Sequence, residues 1–336
     1  MKIAILTLPL HTNYGGILQC YALQTVLEGM GHQVTVLNRR WPEPNAQQRV
    51  VRRIASLAKC IVKKYLMGRK DIALMSPWAE NYTIYKAEQR KLIEIKRFVK
   101  EHIHLTKPLR SSDELREYVE ANEVDCIVVG SDQVWREIYG PCIEDYFLGF
   151  LPEGDKRVKV TYAASFGTAD SPISEDHLKN CIPLAKRFSS ISVREQSGME
   201  IMKDIFGLDT KLHLDPTLLL SAEQYKFPVK DVEKGCLVSY ILDETEDKIA
   251  ISQEVSKALH LKNKKLRLDA TSQDDVVLPS IEEWLSSFAN AKFVVTDSFH
   301  GCVFSIINHK PFIAIANKDR GLERFTSLLG TFGLTD

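Results

Sequence analysis

The chain has no surplus of charge, no paired-cysteine spacing and no long apolar run. Its 336 residues carry 44 Lys plus Arg against 44 Asp plus Glu. No global field therefore draws it to a polyanion, and nucleic acid is disfavoured as a partner. The seven cysteines (20, 60, 126, 142, 181, 236 and 302) are odd in number, scattered and without a CxxC. That pattern argues against a disulfide framework and a structural zinc, and reads as reduced thiols in a cytoplasmic chain. The apolar start "IAIL" is too short for a secretory h-region, and no run of about 18 apolar residues occurs, so neither a secretory signal nor a spanning helix is expected. The turn after the first apolar run, "NYGGILQCYALQ", is not GxGxxG, the usual dinucleotide-binding signature.

What is present is the balance of a soluble globular protein, 44% hydrophobic and 26% charged, with length for about two domains. Short β-rich runs alternate with helical stretches: "KIAILT", "QVTVLN", "DCIVVG", "KVTYAAS", "SISVRE" and "LHLDPTLLL", then "CLVSYIL", "KLRLD", "KFVVTD" and "PFIAIA". Strands that read as continuously apolar between helices indicate parallel sheets covered on both faces. Two such series predict an α/β protein of two Rossmann-like domains, 1–222 and 223–336, divided in the polar stretch 221–234, with a cleft between them. About 80 residues without an obvious strand precede "DCIVVG"; they predict a helical insertion at about 46–110, with Ser112-Asp113-Glu114 starting the helix that leads back to the sheet. Inside it, residues 49–70 hold eight basic residues and no acidic one. This is the pattern of a helix that meets an anionic surface, or of a solvated helix on its own domain.

Ligands of open α/β sheets bind at the carboxyl ends of the strands, and there the candidates lie. Gly15 and Gly16 occupy the first βα turn, where missing side chains let a ligand reach backbone N–H groups, and Asn13 adds an amide. Arg194 ends "SVRE"; a guanidinium there can hold a carboxylate or phosphate, or fix the strand end by a salt bridge. His300 in "TDSFHG" stands at a helix start beside Asp297 and Ser298, where an imidazole can exchange a proton near neutral pH. Weaker candidates are Ser131, Asp132 and Gln133 in "VGSDQVW", and Ser165 in "AASFG". Lys318, Arg320 and Arg324 follow the last strand as possible anion contacts or helix surface. Asp215, before Pro216, reads as turn chemistry.

These stretches, "NYGGILQCYAL", "VGSDQVW", "YAASFG", "SVREQSG", "LDPTLLL", "TDSFHGCVFSIINHKPF" and "RGLERFTSLLGTFGL", resemble in their order the polysaccharide pyruvyl transferase family across nearly the whole chain. The resemblance implies a glycosyltransferase-B type fold and transfer of pyruvate from phosphoenolpyruvate to a sugar as a ketal, with release of phosphate. No cofactor or metal is implied. It implies Arg194 at the donor's anionic end, His300 as acid or base, and the Gly15–Gly16 turn with Arg320 completing the pocket. The acceptor is expected to be a surface-polysaccharide sugar or its lipid-linked precursor, which would give the basic 49–70 segment a membrane face to meet. One departure stands out: where the family carries an Arg two residues before the motif's His, this chain has Ser298. Two alternatives stay open on that account. One is a nucleotide-sugar glycosyltransferase, with Glu323 holding the ribose; the other is an inactive binding member. A fold of this type also sends a last helix back across the first domain, so the natural C-terminus is expected beyond "LLGTFGLTD".

Overall fold

A computed structural model describes residues 1–44, 92–230, 232–266, 278–316 and 322–334, with isolated positions between 47 and 62. The apolar runs become two parallel sheets. The first has the order β2-β1-β3-β4, built from β1 (Lys2–Leu6), β2 (Gln33–Val36), β3 (Cys126–Val129) and β4 (Val158–Thr161). A short pair, β5 (Ser192–Val193) and β6 (Lys211–Leu212), continues it through bridges from Val160 to Ser190 and from Ala164 to Val193. The second has the order β10-β9-β7-β8, from β7 (Leu237–Tyr240), β8 (Asn263–Lys265), β9 (Phe293–Thr296) and β10 (Phe312–Ala314). Every pairing in both sheets is parallel. Ala4, Ile5 and Leu6 are wholly buried although they point to alternate faces, as covered parallel strands must be.

Helices cover the sheets: α1 (Tyr14–Gly29), α2 (Ile93–His102), α3 (Ser112–Ala121), α4 (Glu175–Ala185), α5 (Gln196–Asp204), α6 (Glu246–Ala258), α7 (Ile281–Asn290), α8 (Phe299–Ile307) and α9 (Leu322–Thr331). Their starts follow the sequence. Ser111 accepts the Glu114 N–H ahead of α3, and Ser280 with Glu283 forms a reciprocal capping box ahead of α7, each satisfying donors that the first helical turn leaves open. The result is an α/β arrangement of two parallel sheets, each covered by helices. Among the described residues no helix is long and apolar enough to cross a membrane.

One strand expectation needs correction. In "LHLDPTLLL" only Leu212 pairs, with Lys211 before it; Pro216 suits a first helical position, Asp215 accepts the Thr217 N–H at 3.0 Å, and Pro216–Leu219 turns into a 3₁₀ helix. Of the strand expected at "KLRLD", Lys265 pairs as the end of Asn263–Lys265, and residues 267–269 lie outside the described residues. Of the expected insertion, the described part is α2 and the run after it, where bridges from Val36 to Leu105 and from Arg39 to Leu109 widen the first sheet. The basic residues of 49–70 lie outside the described residues.

The two sheets share one apolar cluster: Ile5 and Ile17 of the first belong to it with Val238, Trp284 and Phe304 of the second. Contacts across the junction are specific. Tyr14 donates through its hydroxyl to the Pro279 carbonyl and lies 5.8 Å from the Trp284 ring, and Arg97 of α2 pairs with Glu282 of α7 at 2.7 Å. This packing holds the starts of α1 and α8 against each other.

Candidate functional site

Between the domains lies a cavity of about 560 Å³, lined from the first domain by Asn13, Gly15, Asp132 and Gln133, and from the second by Tyr240, Ser298, His300 and Arg324 among others. It sits where β1, β3, β7 and β9 end, as expected for open α/β sheets. Two helix starts converge on it. A Cβ built on Gly15 would stand 1.9 Å from Nδ1 of His300, so only glycine lets the imidazole lie on the first turn of α1. Gly301 does the same within α8, where a Cβ would come within 2.1 Å of Thr296 Oγ1. Ser298 caps α8 by accepting the Gly301 N–H at 3.4 Å.

Beneath the cavity lies a buried ionic cluster. Arg194 donates to Asp215 at 2.6 Å and has Asp132 at 3.6 Å and Glu195 at 4.0 Å. Burial works against its charge, but these three carboxylates outweigh burial and hold it protonated. Asp215 is equally buried; burial alone would raise its pKa, yet His300, Arg194 and the Thr217 hydroxyl hold its carboxyl well below the usual range. His300 Nε2 stands 3.7 Å from Asp215 Oδ2, an electrostatic contact longer than a hydrogen bond.

Arg194 therefore does not take the place expected of it. Its side chain is 2% exposed and lies behind Phe299, 4.9 Å above that ring. Three carboxylates compensate it, which is the strand-fixing role. The guanidinium that lines the cavity is Arg324 of α9, 5.5 Å over the same ring. Burial and the repulsion of Arg194 push the Arg324 pKa down to about 10, so its charge is held at a cost that an arriving anion would relieve.

The other expected residues divide. Asn13, Gly15, Asp132, Gln133 and Ser298 line the cavity with His300. Asp132 has φ of 65°, a left-handed conformation that a non-glycine residue holds only when its surroundings impose it, and Asn13 Nδ2 reaches its Oδ2 at 3.4 Å. Gly16 backs the same turn, with Asn13 and Asp132 about its Cα. Asp297 reaches the cavity wall, but its oxygens accept from the Leu242 and Asp243 N–H groups and from Lys248 Nζ; it fixes the loop after β7 and is not poised for proton transfer. Ser131 and Ser165 are wholly buried and donate to Ala163 O and Glu195 Oε1, so both hold loops in place. Glu323 does not line the cavity. Lys318 and Arg320 lie outside the described residues.

Tyr139, Tyr240, Leu242 and Glu244 also line the cavity and escaped the sequence reading. Tyr240 ends β7, an inner strand of the second sheet, and Leu242 and Glu244 follow it, so the strand-end rule applied to "SYILDE" would have found them. Tyr139 ends a short 3₁₀ helix, Glu137–Tyr139, that carries no such signal. Asp215 joins the cluster while still capping its short helix, so its turn role and its ionic role coexist.

The sequence model of the family described as polysaccharide pyruvyl transferase matches residues 13–319. No curated protein matches the chain. Among solved structures, Anabaena HepE, determined with UDP and glucose, is 12% identical, covering 94% of this chain and 80% of its own, with a TM-score of 0.49. UDP-GlcNAc 2-epimerase from Neisseria meningitidis is 12% identical over 99% of this chain and 91% of its own, at 0.46. MurG from Acinetobacter baumannii is 10% identical over 98% and 83%, at 0.42.

Proposed function

The chain belongs to the polysaccharide pyruvyl transferase family, and from that premise we propose that it transfers pyruvate from phosphoenolpyruvate to a sugar, forming a ketal and releasing phosphate. The observation that carries this reading is Arg324: a buried guanidinium over the Phe299 ring, next in sequence to Ser298 and lining the same cavity as His300. It supplies a cation where the family's arginine is replaced. Two helix starts add N–H groups and positive dipole ends, which favour a carboxylate or phosphate.

In the proposed reaction Arg324 and the start of α8 hold the donor's anionic groups, and His300 protonates C3. C2 then becomes electrophilic, a sugar hydroxyl attacks it, and phosphate departs. A second hydroxyl of the same sugar closes the ketal, and the protons lost by the two hydroxyls balance the one given to C3 and one released. Arg194 and Asp215 act beneath this as positioning residues: Asp215 faces His300, and Arg194 fixes Asp215. The nucleotide-sugar alternative loses the ribose contact argued for it, because Glu323 lies away from the cavity. The inactive-member alternative rested on Ser298, and a guanidinium in the same cavity wall, Arg324, favours the active reading over it. A lipid-linked acceptor would bring residues 49–70 to an anionic membrane surface, a contact that co-sedimentation with anionic against neutral liposomes would test.

The direct test is a donor screen by thermal unfolding. Phosphoenolpyruvate should raise the unfolding temperature while UDP-sugars leave it unchanged, since a ligand bound only by the native state stabilises by mass action. Stabilisation by UDP-sugars alone would overturn the reading.

A further inference from the structure

The main cavity continues, past Thr12, Asn13, Asp132 and Tyr139, into an annex of about 270 Å³ on the first domain. The two spaces have different chemistry. The main cavity holds Arg324, whereas the described residues that line the annex include neither lysine nor arginine, and the Asp132 carboxylate stands at its inner end. That carboxylate disfavours an anionic group beside it. Its walls combine apolar faces with hydrogen-bonding groups: Trp41, Ile138 and Tyr139 on one hand, His11, Thr12 and Asn13 on the other. Trp41 is 46% exposed and Ile138 is 73% exposed, so both present apolar surface that a ligand in the annex could cover.

We propose that the annex is the acceptor subsite and takes one neutral sugar ring, its apolar face on Trp41 and a hydroxyl directed at Asp132. A pyranose suits this set because its C–H face packs on an aromatic ring while its hydroxyls donate and accept at the rim. Asp132 stands at the junction of the two spaces, so a hydroxyl hydrogen-bonded to it points toward the donor end of the cleft. Arg40 packs behind His11, with Nη1 at 2.9 Å from Nδ1. Burial, then Arg40 and Lys96, push the His11 pKa down to about 4, which keeps the imidazole neutral with its acceptor nitrogen facing Arg40. The proposal deepens the pyruvyl-transfer reading by naming what binds opposite the donor, and it rests on that reading only for calling the ring an acceptor.

The test uses the full chain and a panel of neutral methyl hexosides and N-acetylhexosaminides, followed by saturation-transfer NMR and tryptophan fluorescence. Trp135 and Trp284 are wholly buried and Trp78 lies outside the described residues, so the quenching that belongs to Trp41 is read as the part lost in Trp41→Ala. At least one glycoside should bind at millimolar concentration, Trp41→Ala should weaken it by about tenfold or more, and Trp41→Phe should retain part of the affinity. Phosphoenolpyruvate should stabilise Trp41→Ala as it does the wild type. Equal glycoside binding by wild type and Trp41→Ala, binding of uridine phosphates in place of glycosides, or no glycoside binding at all would overturn the subsite. Glycoside binding without any response to phosphoenolpyruvate would instead sink the donor assignment and leave the subsite standing.

Discussion

Replacing Arg324 by Met should make the protein more stable and unable to hold its donor. Arg324 is buried, and its pKa falls from the ordinary 12.5 to about 10 because burial and Arg194 both oppose its charge. At 1.36 kcal/mol for each tenfold change in proton affinity, the charge costs roughly 3 kcal/mol at neutral pH. Met fills a similar volume without that charge, and volume-conserving swaps cost little. The swap also loses the contact with the Phe299 ring, about 0.5 to 1 kcal/mol, and the other polar contacts of the guanidinium. A net gain of about 1 to 2 kcal/mol is therefore expected for the ligand-free protein. The sign with pH follows: below about pH 10 both the folded and unfolded arginine are protonated, so the cost is complete. Above it the folded protein sheds the proton first and the cost fades, so the advantage of Arg324→Met should shrink in strongly alkaline solution. Urea unfolding at pH 7.5 and pH 10.5 measures the first effect. Calorimetry with phosphoenolpyruvate measures the second, where losing a buried cationic partner should cost about 2 to 5 kcal/mol, roughly 30-fold to several-thousand-fold in affinity. A variant less stable than wild type that binds phosphoenolpyruvate equally well would refute the reasoning.

Gly15→Ala adds a methyl 1.9 Å from the His300 ring and should destabilise by about 1 to 3 kcal/mol while lowering turnover toward that of His300→Ala. Gly16→Ala meets only the Asn13 amide and the Asp132 carboxylate, at 3.0 and 3.1 Å, and should be much milder; equal effects at the two positions in unfolding and activity assays would contradict the geometry. Asp215→Asn leaves Arg194 without its shortest ion pair and should cost about 3 to 5 kcal/mol. Because the folded Asp215 pKa is depressed, its contribution is complete above the ordinary carboxylate value of 3.8 and is lost as pH falls through the folded value. The stability gap between wild type and Asp215→Asn should thus narrow below about pH 4, and a gap constant from pH 7 to pH 3 would remove Asp215 from the acid dependence.

Much of this fold could be read from the chain because parallel strands leave a local mark. "KIAIL", "CIVV" and "FVVT" are apolar on both faces, and each stands in an inner position of its sheet. The strand-end rule then placed Asn13, Asp132 and His300 at one mouth. What stayed illegible was direction. Ser131 and Asp132 are neighbours at the end of β3, yet one turns into the protein to bond Ala163 and the other faces the cavity with φ of 65°. Asp297 and His300 flank the start of α8, yet Lys248, 49 residues away, occupies the first. Such outcomes depend on partners brought together by tertiary packing, and periodicity carries no information about them.

The two arginines show how that packing assigns roles to like residues. Both guanidinia stack on Phe299, at 4.9 and 5.5 Å, so side-chain type and burial do not distinguish them. The carboxylates do. Asp215, Asp132 and Glu195 surround Arg194 and keep its charge favourable. For Arg324 burial is the largest opposing effect and repulsion from Arg194 the next, and the attraction of Asp132 and Glu195 offsets them only in part, so its charge is less favourable. The protein thus holds the charge of Arg194 more firmly, and that of Arg324 less firmly, than water holds an ordinary guanidinium. Ser298 in turn caps α8, while the Arg324 guanidinium reaches the cavity wall from α9.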